Sequence, residues 1–461
     1  MVTVATHRPV GAVDAVWLNM DRPNNLMVID SVMWFDEPVS WDRLKRVVET
    51  RLVEQYPVFH QRLSGGSYLG LQQWEDDPDF RLSRHLRRVT LPAPGDEAAL
   101  QRYIERQMHK ELDRAHPLWQ FVLVGGYGKG SAIVTRFHHA LADGIALAQV
   151  LMSLTDATDV ADLEEPADHP VPVSKGTRTS VTGMAAQGVR GAVGLLSGFP
   201  RLARPTLLLD ALTLASQTGH VADKLLLGSN PLTPLSGTPG VAKRAVWSSP
   251  RRVADIKQIG RLEGATVNDV LVGAVSGSIS AYLVSHGGEA TDLTTMVPVN
   301  LRPDGEPLPR ELGNRFALVL LPLATGMRAP LARLAETKRR MDAIKHSPEA
   351  AITFGIINAL GRTNPGIERF LVDFFSSKAI GVTTNVIGPM TDRYVAGSRI
   401  TGVLGWVPGS GNQTLGVCIF SYNQTVRVGF KVDAALVPHP EQLVDVFDQE
   451  MDDLLRMARA I

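Results

Sequence analysis

Two adjacent histidines, His138 and His139, stand where a predicted strand is followed by a predicted helix. The β-branched residues within Ser131–Phe137 indicate the strand, and apolar residues at helical spacing indicate a helix over Ile145–Leu154. Neighbouring side chains of an extended chain point to opposite faces, so we expect one of the two imidazoles to face a cleft. An imidazole placed in that way could act as a general base.

Asp143 and Gly144 follow the two histidines in the same loop. Asp143 lies near the predicted start of the helix, where a carboxylate can accept hydrogen bonds from backbone N–H groups and fix the loop. Histidine and carboxylate groups also bind metals, but adjacent histidines on a strand point apart, and no third ligand stands at a diagnostic spacing. We therefore expect Asp143 to hold the loop, and we expect no metal site.

The composition indicates a globular protein without a dominant nucleic-acid-binding face. Of 461 residues, 44% are hydrophobic and 20% are charged, and 47 basic side chains balance 47 acidic ones. The single cysteine, Cys418, excludes an intrachain disulfide and a cysteine-rich metal site. The start of the chain lacks a secretory signal pattern, and we expect no segment apolar enough to span a bilayer. These features predict a cytoplasmic protein, soluble or peripheral to a membrane.

The order of predicted strands and helices indicates an α/β fold. Phe121–Val124 and Ser131–Phe137 are predicted to form a hairpin, and the glycines between them lead into a strand rather than a helix, which argues against a dinucleotide-binding loop. In the second half, Thr266 and Asp269 resemble a capping box. The segment that follows, Val270–Ser285, is apolar nearly all round, which is typical of a buried helix.

Changes in composition divide the chain into three parts. We predict an N-terminal domain over residues 1–165, a linker and partly helical connection over 166–245, and a C-terminal domain over 246–461. Within the connection, Ser180–Leu227 is apolar and carries an excess of basic residues. Such a segment either packs between the two domains, which is the favoured interpretation, or lies on an anionic membrane surface.

The histidine pattern resembles a known signature. His138-His139-x-x-x-Asp143-Gly144 looks like the HHxxxDG motif of the CoA-dependent acyltransferase superfamily. Pro117-Leu118-Trp119, Asn268-Asp269 and Gly313-Asn314 make the chain similar to the bacterial bifunctional wax ester synthase/diacylglycerol acyltransferase family. Asp14-Ala15, Leu112-Asp113-Arg114 and Asn385 extend the similarity over nearly the whole chain. The resemblance implies two chloramphenicol-acetyltransferase-like α/β domains, with mixed sheets flanked by helices and an active-site tunnel at the domain interface.

The resemblance also implies a reaction. His139 would be the general base, taking the proton of an alcohol as its oxygen attacks the thioester of a fatty acyl-CoA. His138 and Asp143 would set its position, with His138 expected to pack rather than shape the channel. The acceptor would be diacylglycerol or a long-chain alcohol. The protein would meet it as a peripheral protein, at the inner face of the membrane or at the surface of a lipid droplet. No cofactor is needed, because the thioester supplies the activated acyl group.

The other motifs leave alternatives open. Asn268 and Asp269 could stabilise an oxyanion or orient substrate, or they could serve to cap their helix. Pro117, Leu118 and Trp119 could line the acyl tunnel, or they could simply begin a core strand.

Three positions depart from the family pattern. Gln120 stands where an acidic residue is common, Asn300 where serine is usual, and Ile387 where proline is frequent. These departures weaken the assignment of the acceptor more than that of the reaction. The other hypotheses are acyl transfer to another lipid alcohol or from a carrier-bound donor, and a catalytically degenerate lipid-binding protein.

Overall fold

The computed structural model describes residues 7–65, 72–160, 230–302, 307–345, 347, 349, 352–353, 355, 357, 373 and 376–460. The elements of this part of the chain are numbered in chain order. The strands of the first half are Arg8–Pro9 (β1), Val28–Phe35 (β2), Gln61–Ser64 (β3), Gln73–Asp76 (β4), Leu86–Thr90 (β5), Trp119–Tyr127 (β6) and Gly130–His138 (β7). Its α-helices are Ala12–Met20 (α1), Trp41–Val48 (α2), Leu82–His85 (α3), Glu97–Met108 (α4) and Gly144–Ser153 (α5).

The second half continues the alternation of strands and helices. Its strands are Lys243–Trp247 (β8), Arg251–Arg252 (β9), Leu293–Asn300 (β10), Phe316–Leu323 (β11), Gly381–Ile387 (β12), Tyr394–Val395 (β13), Ser398–Trp406 (β14), Leu415–Tyr422 (β15) and Thr425–Asp433 (β16). Its helices are Val253–Gly260 (α6), Val267–Ser285 (α7), Pro330–Lys345 (α8) and Glu441–Arg459 (α9).

Each half is built on a mixed sheet, as predicted. The N-terminal sheet has the strand order β13-β14-β2-β7-β6-β5, and only the β5–β6 pair in it is parallel. The C-terminal sheet has the order β11-β10-β12-β15-β16-β8, with β9 beside β16 and parallel pairs on both sides of β12. All nine residues of β7 are buried, because layers cover both faces of its sheet. The predicted hairpin is the antiparallel β6–β7 pair.

The two sheets are joined by an exchanged strand and by buried charges. β14 follows the strands of the second half, yet it pairs antiparallel with β2 of the first. Asp30 lies within β2, and its Oδ1 accepts a hydrogen bond from Nε of Arg136 at 3.0 Å. Its Oδ2 lies 3.3 Å from Nζ of Lys431 in β16. A buried charge is tolerated only when it is paired, so this cluster fixes how the two domains meet.

The predicted boundaries need correction in detail. β8 begins at Lys243, so a boundary between residues 245 and 246 cuts a strand of the C-terminal sheet. The exchanged strand β14 also prevents any single cut from separating the two sheets. The predicted linker and connection lies largely outside the described residues, and so does the whole of Ser180–Leu227.

α7 is the core helix of the C-terminal domain. It begins with the predicted capping box, in which Thr266 and Asp269 exchange side-chain-to-backbone hydrogen bonds. The expectation that no segment is apolar enough to span a bilayer is wrong for this helix, since its 19 residues satisfy the length and hydropathy of a membrane span. However, its most apolar window is 78% buried within the protein, which accounts for its composition.

Candidate active site

The histidine motif occupies the connection from β7 to α5. His138 is the last residue of β7, and Asp143 is the N-cap of α5, where its Oδ1 accepts the backbone N–H of Ala146 at 2.9 Å. The carboxylate thus satisfies a backbone donor that the helix leaves free. The predicted capping role of Asp143 is therefore present in the structure.

His138 faces into the N-terminal domain and is buried. Its Nδ1 accepts the backbone N–H of Ala140 at 3.1 Å, so the proton of the neutral ring is on Nε2. That Nε2 lies 3.4 Å from Oδ2 of Asp21, which also accepts a hydrogen bond from Arg114 at 3.2 Å. The hydrogen bond at Nδ1 holds the first bend of the loop, and Nε2 faces the carboxylate of Asp21 without a hydrogen bond in the described residues.

His139 points the other way, toward the C-terminal domain. Its Nδ1 lies 3.0 Å from Oδ1 of Asn314, and the Nδ2 of that amide donates to the backbone oxygen of His139 at 2.8 Å. Because an amide oxygen only accepts, Nδ1 must carry the proton, and Nε2 is left with a free lone pair. Within the described residues no hydrogen-bond partner is found for Nε2.

Asp14 of α1 fixes the orientation of Asn314. Oδ1 of Asp14 accepts both the side-chain Nδ2 of Asn314 at 2.8 Å and its backbone N–H at 3.0 Å. Burial raises the pKa of Asp14, while the hydrogen bonds from Asn314 act in the opposite direction. The carboxylate, the amide and the imidazole form one chain of contacts, which we call the His139–Asn314–Asp14 relay.

The imidazole of His139 is shielded from water. It is 9% exposed and stacks on the indole of Trp17, with ring centroids 4.0 Å apart, while the ring of Phe316 lies 6.0 Å away. Burial lowers the pKa of His139 from 6.5 to about 4, although the charge of Asp143 and the hydrogen bond with Asn314 oppose this change. The ring is therefore neutral near pH 7, as a general base must be.

Asp143 also ties the motif to the C-terminal domain. Its Oδ2 contacts Nη1 of Arg302 at 2.5 Å and accepts the backbone N–H of Arg315 at 3.0 Å. Arg302 is bonded in addition to the backbone oxygen of Gly313, the neighbour of Asn314. The carboxylate therefore binds the loop that carries the relay, instead of accepting a proton from His139.

A cavity of about 140 Å³ opens between the two domains beside His139. Its walls are mainly apolar, and the alternating residues of β10 and β11 that face it form one side. The lining residues in the described ranges are Val16, Trp17, Met20, His139, Asp143, Gly144, Ile145, Met296, Pro298, Asn300, Phe316, Leu318, Leu320, Thr353, Ile357, Ser376, Val382, Thr384, Val407, Pro408 and Ser410. A neutral imidazole thus meets a space suited to an aliphatic chain.

Two predicted motifs do not reach this cavity. Asn268 accepts a hydrogen bond from Asn385 at 2.9 Å, and Asp269 is occupied in the capping box, so the capping interpretation of the pair is the one the geometry favours. Pro117-Leu118-Trp119 packs in the N-terminal domain, where the indole N–H of Trp119 donates to Phe59 at 2.8 Å. Leu118 accepts the backbone N–H of His138 at 3.0 Å, so this segment supports the motif as a core strand rather than lining a tunnel.

The sequence predictions missed four residues of the site. Asp14 and Asn314 belong to blocks that resemble the family, but the sequence pattern assigns them no role, and it assigns none to Arg302 or Trp17. A polar residue between two apolar stretches, as Asp14 is in α1, could have signalled a buried partner. Among the described residues, no group of three or more His, Cys, Asp or Glu side chains is placed to hold a metal ion.

Comparison with known proteins places this site in a family. Residues 10–271 match the model of the wax ester synthase/diacylglycerol acyltransferase catalytic domain, and residues 312–455 match that of the WS/DGAT C-terminal domain. The chain is 28% identical to a Mycobacterium tuberculosis protein with a provisional diacylglycerol O-acyltransferase name, over 98% of both chains. It is 24% identical to the O-acyltransferase WSD of Acinetobacter baylyi, over 96% of both.

Solved structures show the same fold. The wax ester synthase/diacylglycerol acyltransferase of Marinobacter aquaeolei VT8 superposes with a TM-score of 0.70 at 19% identity, covering 98% of this chain and 99% of that one. The first condensation domain of the calcium-dependent antibiotic synthetase gives 0.60 at 15% identity, covering 98% and 97%. Because the two family models together match most of the sequence, this chain belongs to the wax ester synthase/diacylglycerol acyltransferase family.

Proposed function

We propose that the protein transfers a long-chain acyl group from acyl-CoA to the hydroxyl group of diacylglycerol or of a long-chain alcohol, with His139 as the general base. The observation that carries this proposal is the state of the His139 imidazole. The relay keeps its proton on Nδ1, burial keeps it neutral, and it lines an apolar cavity between the domains.

The proposed reaction follows from that state. Nε2 of His139 takes the proton of the acceptor hydroxyl as its oxygen attacks the thioester carbonyl. The tetrahedral intermediate then expels the CoA thiolate, which takes the proton back from the imidazolium to give the free thiol. The imidazole returns to its starting form, so that no further reactant is needed.

Relatives support both classes of acceptor. The names of the curated relatives include diacylglycerol O-acyltransferase, and the family description includes wax ester synthase. A solved condensation domain, with a TM-score of 0.57 and 14% identity, is titled as a complex with C8-CoA, which supports an acyl-CoA donor. We therefore expect triacylglycerol as a product, and wax esters where long-chain alcohols are supplied.

Thiol release from palmitoyl-CoA tests the proposal. We expect the purified protein to release thiol in the presence of dioleoylglycerol or hexadecanol, with the matching ester as product. His139→Ala should lower kcat by about 10²- to 10⁴-fold, the range typical of a general base. His439→Ala, which removes an exposed imidazole, is the matched control and should behave as the wild type.

Three results would contradict the proposal. Activity only with a carrier-bound donor would reassign the donor, and activity only with another lipid alcohol would reassign the acceptor. Acyl-chain binding that survives in His139→Ala, without turnover by the wild type, would indicate a degenerate lipid-binding protein.

We further propose that the protein works at a lipid surface, because its acceptors are insoluble in water. The basic and apolar segment Ser180–Leu227, which lies outside the described residues, is the sequence feature that supports this. We expect part of the protein to sediment with anionic phosphatidylglycerol vesicles. Binding that is unchanged when the basic residues of that segment are neutralised would contradict its role.

A further inference from the structure

Asn300 is the amide that the C-terminal sheet brings to the cavity. Met296, Pro298 and Asn300 alternate along β10, so their side chains share the face that lines the cavity. Asn300 is the last residue of β10 and pairs directly with Phe316 of β11. Since the ring of Phe316 lies 6.0 Å from that of His139, Asn300 stands at the end of this wall nearest the base.

The amide of Asn300 has a defined orientation. Its Oδ1 accepts the backbone N–H of Arg302 at 3.0 Å, and Arg302 in turn contacts Asp143 of the histidine motif. With the oxygen engaged by the chain, Nδ2 is the remaining polar group of the amide. Within the described part of the chain no acceptor is found for Nδ2, so its two N–H groups are available to a ligand.

The proposed reaction needs such a donor. Attack on a thioester carbonyl places a negative charge on its oxygen, and a donor fixed in a dry site stabilises that charge. The neighbouring walls are largely apolar, and Asp143 carries a negative charge of its own. Asn268, which the sequence suggested for this role, does not line the cavity and is bonded to Asn385.

We propose that Nδ2 of Asn300 donates a hydrogen bond to the oxyanion of the tetrahedral intermediate. Asn300 is then a catalytic residue that touches the reacting group, on the domain opposite to His139. This inference deepens the proposed function and rests on it. It also gives a role to a position at which this chain departs from the serine that is usual in similar sequences.

Three variants separate donation from structural support. Asn300→Asp keeps an oxygen acceptor for the N–H of Arg302 but has no N–H donor, and we expect kcat to fall by about 10²- to 10³-fold, with the KM for palmitoyl-CoA nearly unchanged. The kcat of Asn300→Ala should fall by as much. Asn300→Ser has a hydroxyl donor and should recover at least part of the rate. Asn24→Asp removes an amide outside the cavity and is the matched control, expected to keep the wild-type kcat.

A transition-state analogue gives a readout that general loss of structure would not give. Hexadecyl hexadecylphosphonate has a tetrahedral phosphorus whose oxygens carry a negative charge, so it resembles the tetrahedral intermediate with its oxyanion. Its affinity should fall in Asn300→Ala by about the same factor as kcat, while palmitoyl-CoA binds as in the wild type. Thermal unfolding of each variant identifies any that are misfolded, and the remaining variants decide the question.

The outcomes distinguish this inference from the proposed function. A wild type without acceptor-dependent thiol release overturns the proposed function. An active wild type with a folded Asn300→Asp that keeps its kcat within about threefold overturns the role of Asn300 alone. Equal losses of phosphonate and palmitoyl-CoA affinity would also overturn it, because they would place Asn300 in ground-state binding.

Discussion

Nδ1 of His139 is held 3.0 Å from Oδ1 of Asn314, a residue 175 positions later in the chain and on the other domain. The proposed base and the group that fixes its tautomer are therefore assembled only when the two domains meet. Asp14 completes the relay from α1, 300 positions away from Asn314. In the proposed mechanism, catalysis consequently depends on the domain interface as much as on the histidine motif.

Exchanging the acid and the amide of the relay tests its function. Asn314→Asp alone places a carboxylate against Asp14, where the amide nitrogen now lies 2.8 Å from Oδ1, and repulsion should displace the imidazole. We expect kcat to fall by about 10²-fold, the effect typical of misplacing a reacting group. Adding Asp14→Asn removes the repulsion between the two acids, but position 314 still lacks the N–H group that bonds the backbone oxygen of His139, so only part of the rate should return.

The KM for palmitoyl-CoA should change little in both proteins, because neither residue of the exchange contacts the thioester in the proposed reaction. Asn314→Leu, which fills a similar volume without hydrogen bonds, serves as the unrescued reference. A double variant as slow as Asn314→Asp would show that the relay does not depend on one acid paired with one amide.

The Asp143–Arg302 pair is predicted to stabilise the interface. Both side chains are almost fully buried, at 6% exposure each, so removing one partner leaves an uncompensated charge. Arg302→Met should lower the free energy of unfolding by about 3 kcal/mol, measured by urea denaturation. Combining it with Asp143→Asn should cost less than the sum of the two single changes.

Arg252→Met is the matched control, since Arg252 pairs with Asp255 at the surface and its removal should leave the stability unchanged. Strict additivity of Arg302→Met and Asp143→Asn would show that the two side chains are not coupled in solution, in spite of their contact.

Local patterns predicted the parts of the fold that depend on neighbouring residues. The β6–β7 hairpin follows from two apolar strands and a glycine turn, and the α7 capping box follows from Thr266 and Asp269. The inequality of the two histidines also follows from strand alternation, because His138 and His139 do face different domains.

Contacts between distant residues could not be predicted in the same way. Nothing in the spacing of Asp14, Asn314 and Arg302 relates them to the histidine motif, since their partners lie 159 to 300 positions away. The pairing of β14 with β2 could not be predicted either, because the two strands lie far apart in the sequence. Trp119 was open to two interpretations because an apolar residue suits a tunnel wall and a core equally well.

Gly381, at the start of β12, is predicted to tolerate no side chain. A Cβ built on it would lie 1.5 Å from the backbone oxygen of Leu415, which is fixed in the neighbouring strand. Gly381→Ala should therefore cost about 3 kcal/mol of unfolding free energy. It should also lower activity, because Val382 and Thr384 of the same strand line the cavity.

Gly65→Ala is the control for that change, since among the described residues, apart from the chain neighbours, no atom lies within 4 Å of a Cβ built there. Thermal unfolding should separate the two variants clearly. Equal melting temperatures would mean that β12 and β15 can move apart without cost, in contradiction to their close pairing.

The buried His139 predicts how activity depends on pH. Its pKa of about 4 in the folded protein lies below the ordinary value of 6.5. The imidazole therefore stays unprotonated through pH 5, and the acidic limb of kcat/KM should lie well below pH 6.5. A limb near 6.5 would mean that the folded imidazole titrates as a solvated one does, and would contradict its burial under Trp17.

The same pKa difference predicts a loss of stability in acid. Between pH 4 and pH 6.5 the unfolded chain binds a proton at His139 and the folded protein does not, so the free energy of unfolding falls as the pH falls through this window. His139→Gln does not titrate and lacks this contribution. Urea unfolding at about pH 7 and about pH 5 should thus show a larger loss of unfolding free energy for the wild type than for His139→Gln. The two proteins share every other titrating group. An equal loss would therefore mean that the folded and unfolded pKa values of His139 are the same.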